Sequence, residues 1–374
     1  AVRRFTRRNP LAVTVVVGCY SQVGYKAIAE ILGVDYIIGN NDKLNLLDYL
    51  GEDKVERPVI IRDRIDREDF SVNFVGEAPF KQRANFKIQD GCDFMCSFCI
   101  IPFSRGRARS REFNNLQEEA RSLAGRGARE FVLTGVNLGE YFNSGKDITS
   151  VIDALNEIDG VDRIRISSIE PTTIPEELFP RMAAPEHALL PFLHVPLQSG
   201  CARTLERMRR KYSAKEMLNF IGRAVEQVPN LCVGTDFMVG FPGETEDDFQ
   251  ETCRSFLEHP FAYCHVFPFS ERNGTPAARM NEQVPVTERN RRSAHLRRLS
   301  SAKRYEFDES QVGRFAEVLF ENPRDGLWSG YTENYVRVTV PRNGEEDLTN
   351  RLGKVRLLRS SADFIEAEIV EIIS

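Results

Sequence analysis

Gly91-Cys92-Asp93-Phe94-Met95-Cys96-Ser97-Phe98-Cys99 sets three cysteines in a C-x3-C-x2-C spacing. Three thiolates this close can hold three irons of a cubane iron–sulfur cluster, which leaves the fourth iron without a protein ligand and open to chemistry. A structural zinc site wants a fourth ligand at short spacing, usually from paired C-x2-C units. No histidine lies between Cys19 and His187, and the next cysteine after Cys99 is Cys201. The spacing favours a cluster over zinc or inert core cysteines, while leaving both readings open.

Working outward, Ile100-Ile101-Pro102-Phe103-Ser104-Arg105-Gly106 follows, and then Arg107, Arg109, Ser110 and Arg111. Phe98 stands directly before the third cysteine, and a proline and a glycine hold the loop out of regular structure. A run at residues 84–89 with strand character precedes the loop, so the cysteines are expected at the carboxyl end of a strand. Further strands are expected at 130–134, 163–168, 192–195, 231–239 and 262–267. Amphipathic helical segments fall between them at 116–126, 148–158, 202–209, 214–228 and 245–259. Repeated βα units predict a parallel sheet, here a partial barrel of six strands. In such folds the loops at the carboxyl ends of the strands build the active site.

Those strand ends are polar or glycine-rich: Thr134-Gly135-Val136-Asn137-Leu138-Gly139, Ser167-Ser168-Ile169-Glu170-Pro171, His194-Val195-Pro196-Leu197-Gln198-Ser199-Gly200 and Val239-Gly240-Phe241-Pro242-Gly243-Glu244-Thr245. Any one of them could be helix capping, as Thr245 followed by Asp248 suggests. Together they converge on one rim.

Upstream, residues 13–17 read as a buried strand, 25–32 as a helix ended by Gly33, and 36–38 as a second strand. Cys19 then falls at a strand's carboxyl end, where open α/β sheets bind ligands. Charged residues from 62 to 77 suggest a linker. Residues 289–304 form a basic helical stretch. Residues 311–374 switch to period-two alternation at 316–321, 335–340, 354–358 and 364–369, punctuated by Gly326, Gly330, Asn343-Gly344 and Gly353. This predicts a small antiparallel β-barrel of a type that often binds RNA.

Bulk composition bounds the rest. Of 374 residues, 41% are hydrophobic and 28% charged, ordinary values for a globular protein with room for two or three domains. The apolar runs are too short to span a bilayer, and no basic-then-apolar leader precedes them. Eight irregularly spaced cysteines do not read as a secreted disulfide framework, so a reducing, cytoplasmic location is expected. The net charge of −5 argues against a generally basic nucleic-acid binder but permits local patches. Two are candidates: Arg203, Arg207, Arg209, Arg210 and Lys211, and then Arg289, Arg291, Arg292, Arg297, Arg298, Lys303 and Arg304.

The cluster loop, its flanks, the Gly18-Cys19-Tyr20 element, the strand-end motifs and the carboxyl-terminal module together resemble the radical S-adenosylmethionine (SAM) methylthiotransferases. Within that family, Thr134–Tyr141 and the stretches Met208-Arg209-Arg210-Lys211-Tyr212 and Gly330-Tyr331-Thr332-Glu333-Asn334-Tyr335 look most like the threonylcarbamoyladenosine tRNA branch (MtaB-type). Two other branches act on isopentenyladenosine in tRNA and on an aspartate of a ribosomal protein. The resemblance implies an α/β fold: a truncated amino-terminal α/β domain (1–75), a (β/α)6 radical SAM core (76–308) and a TRAM-like RNA-binding barrel (309–374). It implies that Cys92, Cys96 and Cys99 ligate the 4Fe-4S cluster that binds SAM, with Gly135, Asn137, Glu170 and Gln198 contributing to the SAM site. Cys19 resembles one of three ligands of a second 4Fe-4S cluster; the other two are expected upstream of Ala1, so sulfur insertion is expected to need more than this chain. A catalytically incomplete RNA-binding fragment is the alternative. Family members replace C–H with C–SCH3, using one SAM as methyl donor and another as radical source. The implied partners are a tRNA anticodon stem-loop, gripped by Arg209, Arg210, Lys211, Arg297, Arg298, Tyr331 and Asn334, and a reducing electron donor such as a flavodoxin. The protein is expected to act as a monomer away from membranes. Cys201 stands where the family pattern more often has serine.

Overall fold

The computed structural model describes residues 1–65, 67–72, 83–342 and 346–373. The chain opens with α1 (Val2–Arg8). A three-stranded parallel sheet follows, in the order β1 (Val15–Val17), β2 (Tyr36–Ile38) and β3 (Val59–Ile61). Two short helices, α2 (Cys19–Val23) and α3 (Tyr25–Ala29), link β1 to β2. The helix expected over 25–32 therefore stops at Ala29, and the chain turns into β2 through Gly33 at φ +85°. Part of the expected linker is ordered differently: Phe70 bridges to Arg111 beside the cluster loop. Residue 66 and the expected division between residues 75 and 76 lie outside the described residues.

Six parallel strands form the partial barrel. They are β4 (Arg83–Lys87), β7 (Glu130–Thr134) and β10 (Arg163–Ile166) in one sheet, and β11 (Phe192–His194), β12 (Cys232–Val239) and β13 (Tyr263–Pro268) in another. A bridge from Ile164 to Leu189 is where the two sheets meet. Two small antiparallel hairpins decorate the rim: β5 (Gln89–Asp90) with β6 (Arg109–Ser110), and β8 (Phe142–Asn143) with β9 (Lys146–Asp147). The outer layer comprises α4 (Ile101–Arg105), α5 (Phe113–Gly125), α6 (Ile148–Asn156), α7 (Leu178–Ala183), α8 (Ala202–Arg207), α9 (Ala214–Gln227), α10 (Glu246–Glu258) and α11 (Val286–Glu309). One contiguous core joins strands and helices, with Phe86, Phe131, Ile164, Leu193 and Phe237 fully buried. The Thr245 hydroxyl accepts from the Asp248 amide while Asp248 accepts from the Thr245 amide, completing a capping box that starts α10.

The carboxyl-terminal module is a closed five-stranded barrel in the order β14 (Phe315–Phe320), β15 (Leu327–Thr332), β16 (Arg337–Pro341), β18 (Ile365–Ile372) and β17 (Leu352–Ser360). It departs from the expected all-antiparallel form, because β16 and β18 pair parallel. It also has a strand, β15, that the alternation did not reveal. Asn343 and Gly344 lie outside the described residues.

The module seats on the amino-terminal end of the six-stranded barrel through buried charge. Glu130 Oε1 accepts from Arg165 Nε at 2.8 Å, and its other oxygen lies 3.5 Å from Arg163 Nη1. The two guanidinium groups reach on to backbone carbonyls of the module. Arg163 donates to Tyr331 and Glu317, and Arg165 to Glu333 and Thr332. The module thereby forms the floor of the barrel's lumen. Among the described residues, no helix is long and apolar enough to cross a membrane.

Candidate active site

Strand β4 breaks at Ile88, and the chain re-pairs at once as β5 with β6, so the cluster loop is the tip of a hairpin rather than a free excursion. The stem is tied by Asp90, whose carboxylate meets Lys87 at 2.7 Å, Arg105 at 3.0 Å and Arg109 at 3.5 Å. Burial works to raise the Asp90 carboxyl, but the Lys87 and Arg105 cations hold it at about 2. Two of the arginines that follow Cys99 are thus stem clamps. Gly91, at φ +71°, makes the turn into the loop, and a Cβ there would overlap the Arg107 carbonyl. Gly91→Ala is therefore expected to lower the iron bound per chain after anaerobic reconstitution by more than half. Gly145→Ala, also at positive φ (+78°) but facing open space, isolates the overlap from the backbone strain and is expected to keep its iron.

Cys92 and Cys96 are buried and Cys99 is partly so, in a pocket with Phe94, Phe98, Ile101 and Val136. Burial pushes all three thiols upward, so ligation rather than water must draw off their protons. Around a single tetrahedral zinc, sulfurs at ~2.3 Å from the metal would sit about 3.8 Å apart. Among the described residues, the trio of potential ligands whose donor atoms all fall within 4.8 Å of one another is His194, Asp236 and His265, and the cysteines are not such a trio. At least one pair of the cysteine sulfurs lies beyond that span, and with three thiols in one apolar pocket the residues present fit a 4Fe-4S cluster.

The loop is held from behind. Ser97 donates from Oγ to the Arg207 carbonyl at 2.8 Å and from its amide to that of Met208 at 2.9 Å, while Phe98 packs edge-on against Phe241. Arg210 then reaches the cluster pocket itself. It donates to Cys96 Sγ at 3.2 Å, ion-pairs with Glu170, and bonds the Tyr212 hydroxyl and the Pro196 carbonyl. Burial pushes the Glu170 carboxyl upward while Arg210 pulls it back. The guanidinium is held protonated against its own burial by Tyr212, Glu170 and Cys96.

On the opposite side, Gln89 joins two strand ends. Its Oε1 accepts from the amides of Val136 and Asn137 at 2.8 and 3.0 Å, and its Nε2 donates to the Asp90 and Gly91 carbonyls. Asn137, fully buried, accepts at Oδ1 from the Glu170 amide and the Thr173 hydroxyl, tying the end of β7 to the end of β10.

With this geometry in hand, comparisons place the chain. Residues 86–256 match the model of the Radical SAM superfamily. Among solved structures, the radical S-adenosylmethionine methyltransferase TsrM from Kitasatospora setae superposes with a TM-score of 0.54 at 17% identity. The match covers 74% of this chain and 58% of that one, a likeness of fold. A threonylcarbamoyladenosine tRNA methylthiotransferase MtaB of Bacillus subtilis is 37% identical over 100% of this chain and 84% of its own length. The chain belongs to the MtaB-type methylthiotransferases of the radical SAM superfamily. The MtaB of Aquifex aeolicus is 35% identical, with 93% and 84% covered. A tRNA-2-methylthio-N(6)-dimethylallyladenosine synthase of Anaplasma phagocytophilum is 31% identical, with 96% and 83% covered.

In this MtaB-type chain the expected site residues take mixed places. Glu170 and Asn137 adjoin the cluster pocket: Glu170 pairs with Arg210, Asn137 Oδ1 accepts from the Glu170 amide and the Thr173 hydroxyl, and Asn137 Nδ2 is buried without a hydrogen-bond partner among the described residues. Gly135 is small because Gln89 and Leu138 press on it at about 2.9 Å from any Cβ. Gln198 sits at φ +71° with its amide bonded to the Asp236 carbonyl. Cys19 opens α2 and lines a cleft of about 820 Å³ with Tyr20, Ile100, Ile101 and Ser104, so its thiol lies beside α4, the helix that follows the cysteine loop. One thiolate does not hold a cubane, and Cys19 offers one ligand toward it.

Of the residues expected to grip RNA, Arg210 and Asn334 are used elsewhere, as are most of the other basic residues in the two patches. Arg210 is buried at the cluster. Asn334 is buried between the module and the barrel, donating to the Asn230 carbonyl and Gln311. Arg203 pairs with Asp248, Arg207 with Glu282, and Arg292 with Glu244 and Glu288. Arg289 bonds the Phe269 and Val284 carbonyls, Lys303 those of Leu257 and His259, and Arg304 that of Tyr335. Arg209, Lys211, Arg297 and Arg298 remain exposed. Tyr331 stacks on Tyr335 with ring centroids 4.6 Å apart, beneath the Arg83 guanidinium. Arg210→Met is expected to strand the Glu170 carboxylate, at a cost of about 3–5 kcal/mol, and to shed iron. Adding Glu170→Gln should restore most of both, as read by thermal unfolding and iron content; equal loss in the two variants would refute the pairing.

Proposed function

We propose that this chain is a tRNA methylthiotransferase that inserts a methylthio group at C2 of threonylcarbamoyladenosine at tRNA position 37. The observation that carries the reading is the cysteine trio, two buried and one partly buried, in an apolar pocket at the mouth of a parallel-strand lumen, in a chain matched along its length to a tRNA methylthiotransferase. The proposed division is 1–75, 76–308 and 309–374, with the last part supplying RNA contact. Arg209, Lys211, Arg297, Arg298 and Tyr331 are the proposed contacts to an anticodon stem-loop, whose unstacked base can leave the loop for the lumen. Gly135, Asn137, Glu170 and Gln198 are retained as walls of the SAM site. A flavodoxin-like donor, a monomeric state and a cytoplasmic location complete the proposal.

When bound, the cluster supplies the electron that makes SAM reactive. The chain's own residues do the rest. Phe94, Phe98, Ile101 and Val136 exclude water around the sulfurs. Arg210 offers its N–H to Cys96 Sγ, balancing negative charge on that ligand. Gln89 and Asn137 fix three strand ends in register, so that a bound group meets a preset wall rather than loops still to be ordered.

The dimethylallyladenosine synthases among the relatives make that nucleoside the second reading. Nucleoside analysis of tRNA from cells with and without the gene decides between them. Loss of methylthio-threonylcarbamoyladenosine alone supports the proposal, and an unchanged level of it refutes the proposal. Cluster reconstitution with no 5′-deoxyadenosine from SAM and reductant would favour instead an RNA-binding protein without catalysis.

A further inference from the structure

On the lumen side of the second sheet, three adjacent strands bring together His194, Asp236 and His265. Asp236 and His265 are register partners on β12 and β13. Asp236 Oδ1 lies 3.0 Å from His194 Nε2 and 3.3 Å from His265 Nδ1, and the two imidazoles sit 5.0 Å apart. His194 Nδ1 meets the Tyr263 hydroxyl at 3.3 Å, in space that exists because residue 234 is glycine: a Cβ there would strike both rings. Burial works to raise the Asp236 carboxyl, but hydrogen bonds from the two histidines hold it at about 2. One carboxylate thus orients two rings.

The two histidines differ in what they have left to offer. His194 is buried with both nitrogens engaged. His265 has a side chain 58% exposed, its Nδ1 is taken by Asp236, and its Nε2 makes no hydrogen bond among the described residues. It faces a cavity of about 850 Å³ between β13 and the module. Arg337 lines the same cavity and the adjoining one, and among the described residues it has no ion-pair partner. The other arginines there, Arg165 and Arg304, are spent on Glu130, Asp308 and backbone carbonyls. Asp363 is exposed on the outer lip, and the aliphatic lining amounts to Val132 and Ala362. Phe192, Phe267, Tyr263, Tyr331 and Tyr335 add apolar ring surface, so among the described residues it is the unpaired Arg337 guanidinium that would single out an anion.

Depth matters as well. Met238 packs with Met208 and Phe241 behind the cluster loop. Asp236, two residues earlier on β12, lies about 6–7 Å deeper in the lumen. In an adenine, C2 and C6 flank N1, and their outward bonds diverge by about 120°. A base that presents C2 to the rim therefore carries its N6 group sideways and inward, toward the wall that holds His265.

We propose that His265 Nε2 and the Arg337 guanidinium form a subsite for the carboxylate of an amino-acid group carried on N6 of the target adenosine. The inference rests on the function proposed above and names the groups that would choose threonylcarbamoyl over dimethylallyl. A charge-assisted pair of this kind should favour the carboxylate by about tenfold or more. The test measures binding by the cluster-loaded chain with SAM and no reductant. It uses three anticodon stem-loops, carrying at position 37 threonylcarbamoyladenosine, its threonine carboxamide analogue, or dimethylallyladenosine. The unsubstituted protein should bind the first at least tenfold more tightly than the second, a result that needs no variant to fold. Arg337→Ala and His265→Gln should each shrink that ratio toward one. Equal affinity for carboxylate and carboxamide overturns the subsite, as does a ratio the variants leave intact. Either failure is separable from that of the proposed function, which fails when tRNA from cells without the gene keeps its level of methylthio-threonylcarbamoyladenosine.

Discussion

Cys96→Ala is expected to reduce cluster iron to background and to abolish both 5′-deoxyadenosine formation and methylthiolation. Cys96 is the middle cysteine of the trio proposed to hold the cluster, and it accepts the Arg210 hydrogen bond. Removing it leaves two thiolates for a cubane, and it also leaves a buried guanidinium facing a void. Cys92→Ala and Cys99→Ala should lose activity equally but keep the Arg210–Glu170 pair unperturbed. Cys201→Ser is the matched control. Cys201 is buried behind the rim against Asp248, with its thiol pushed up to about 11, chiefly by burial, and it takes no part in the cluster pocket. Iron content and the visible absorbance of anaerobically purified protein check all four. Full iron in Cys96→Ala would refute the assignment of the trio.

Glu130→Ala is expected to have the largest effect on stability. Glu130, Arg163 and Arg165 are all at least 97% buried, and the substitution leaves two guanidinium groups without a counter-charge at the junction of barrel and module. Breaking a buried pair on one side costs on the order of 3–5 kcal/mol. The carboxyl is held below its usual range because Arg165 and Arg163 outweigh the burial that would raise it, so the ionised form belongs to the folded state. Its contribution is present above the unfolded carboxyl's titration and fades as pH falls below it. Thermal unfolding and limited proteolysis around the end of α11 should show the module released before the barrel melts. Glu130→Gln, which keeps one acceptor oxygen and loses the charge, should fall between. Coincident melting of the two parts at an unchanged temperature would overturn this account.

Much of the fold was legible because its signals are local. The strand at Glu130–Thr134 and the capping box at Thr245 are written in consecutive residues, and the structure has both. Strand β15 was not legible. Gly330 reads as turn punctuation, whereas it is glycine because the Leu319 carbonyl of the neighbouring strand leaves no room for a Cβ. The basic runs misled for a similar reason. Arg210 belongs to a motif that looks like an exposed patch, yet its partner Glu170 lies 40 residues away. Arg292 finds Glu244 across 48 residues. The histidine trio was missed because its members sit on three strands, and strand register rather than spacing brings them together. The cysteine spacing was decisive because all three ligands fall on one short loop, so no tertiary information was needed.

The seating of the module on Arg163 and Arg165 turns the lumen into a vessel with a fixed bottom. The same five-stranded piece that closes it also carries the stacked Tyr331 and Tyr335. An RNA held by that piece is therefore held at a set height below the cysteine loop. On the proposed function, the fold would act as a depth gauge, measuring how far a base with its substituent extends before asking what the base is.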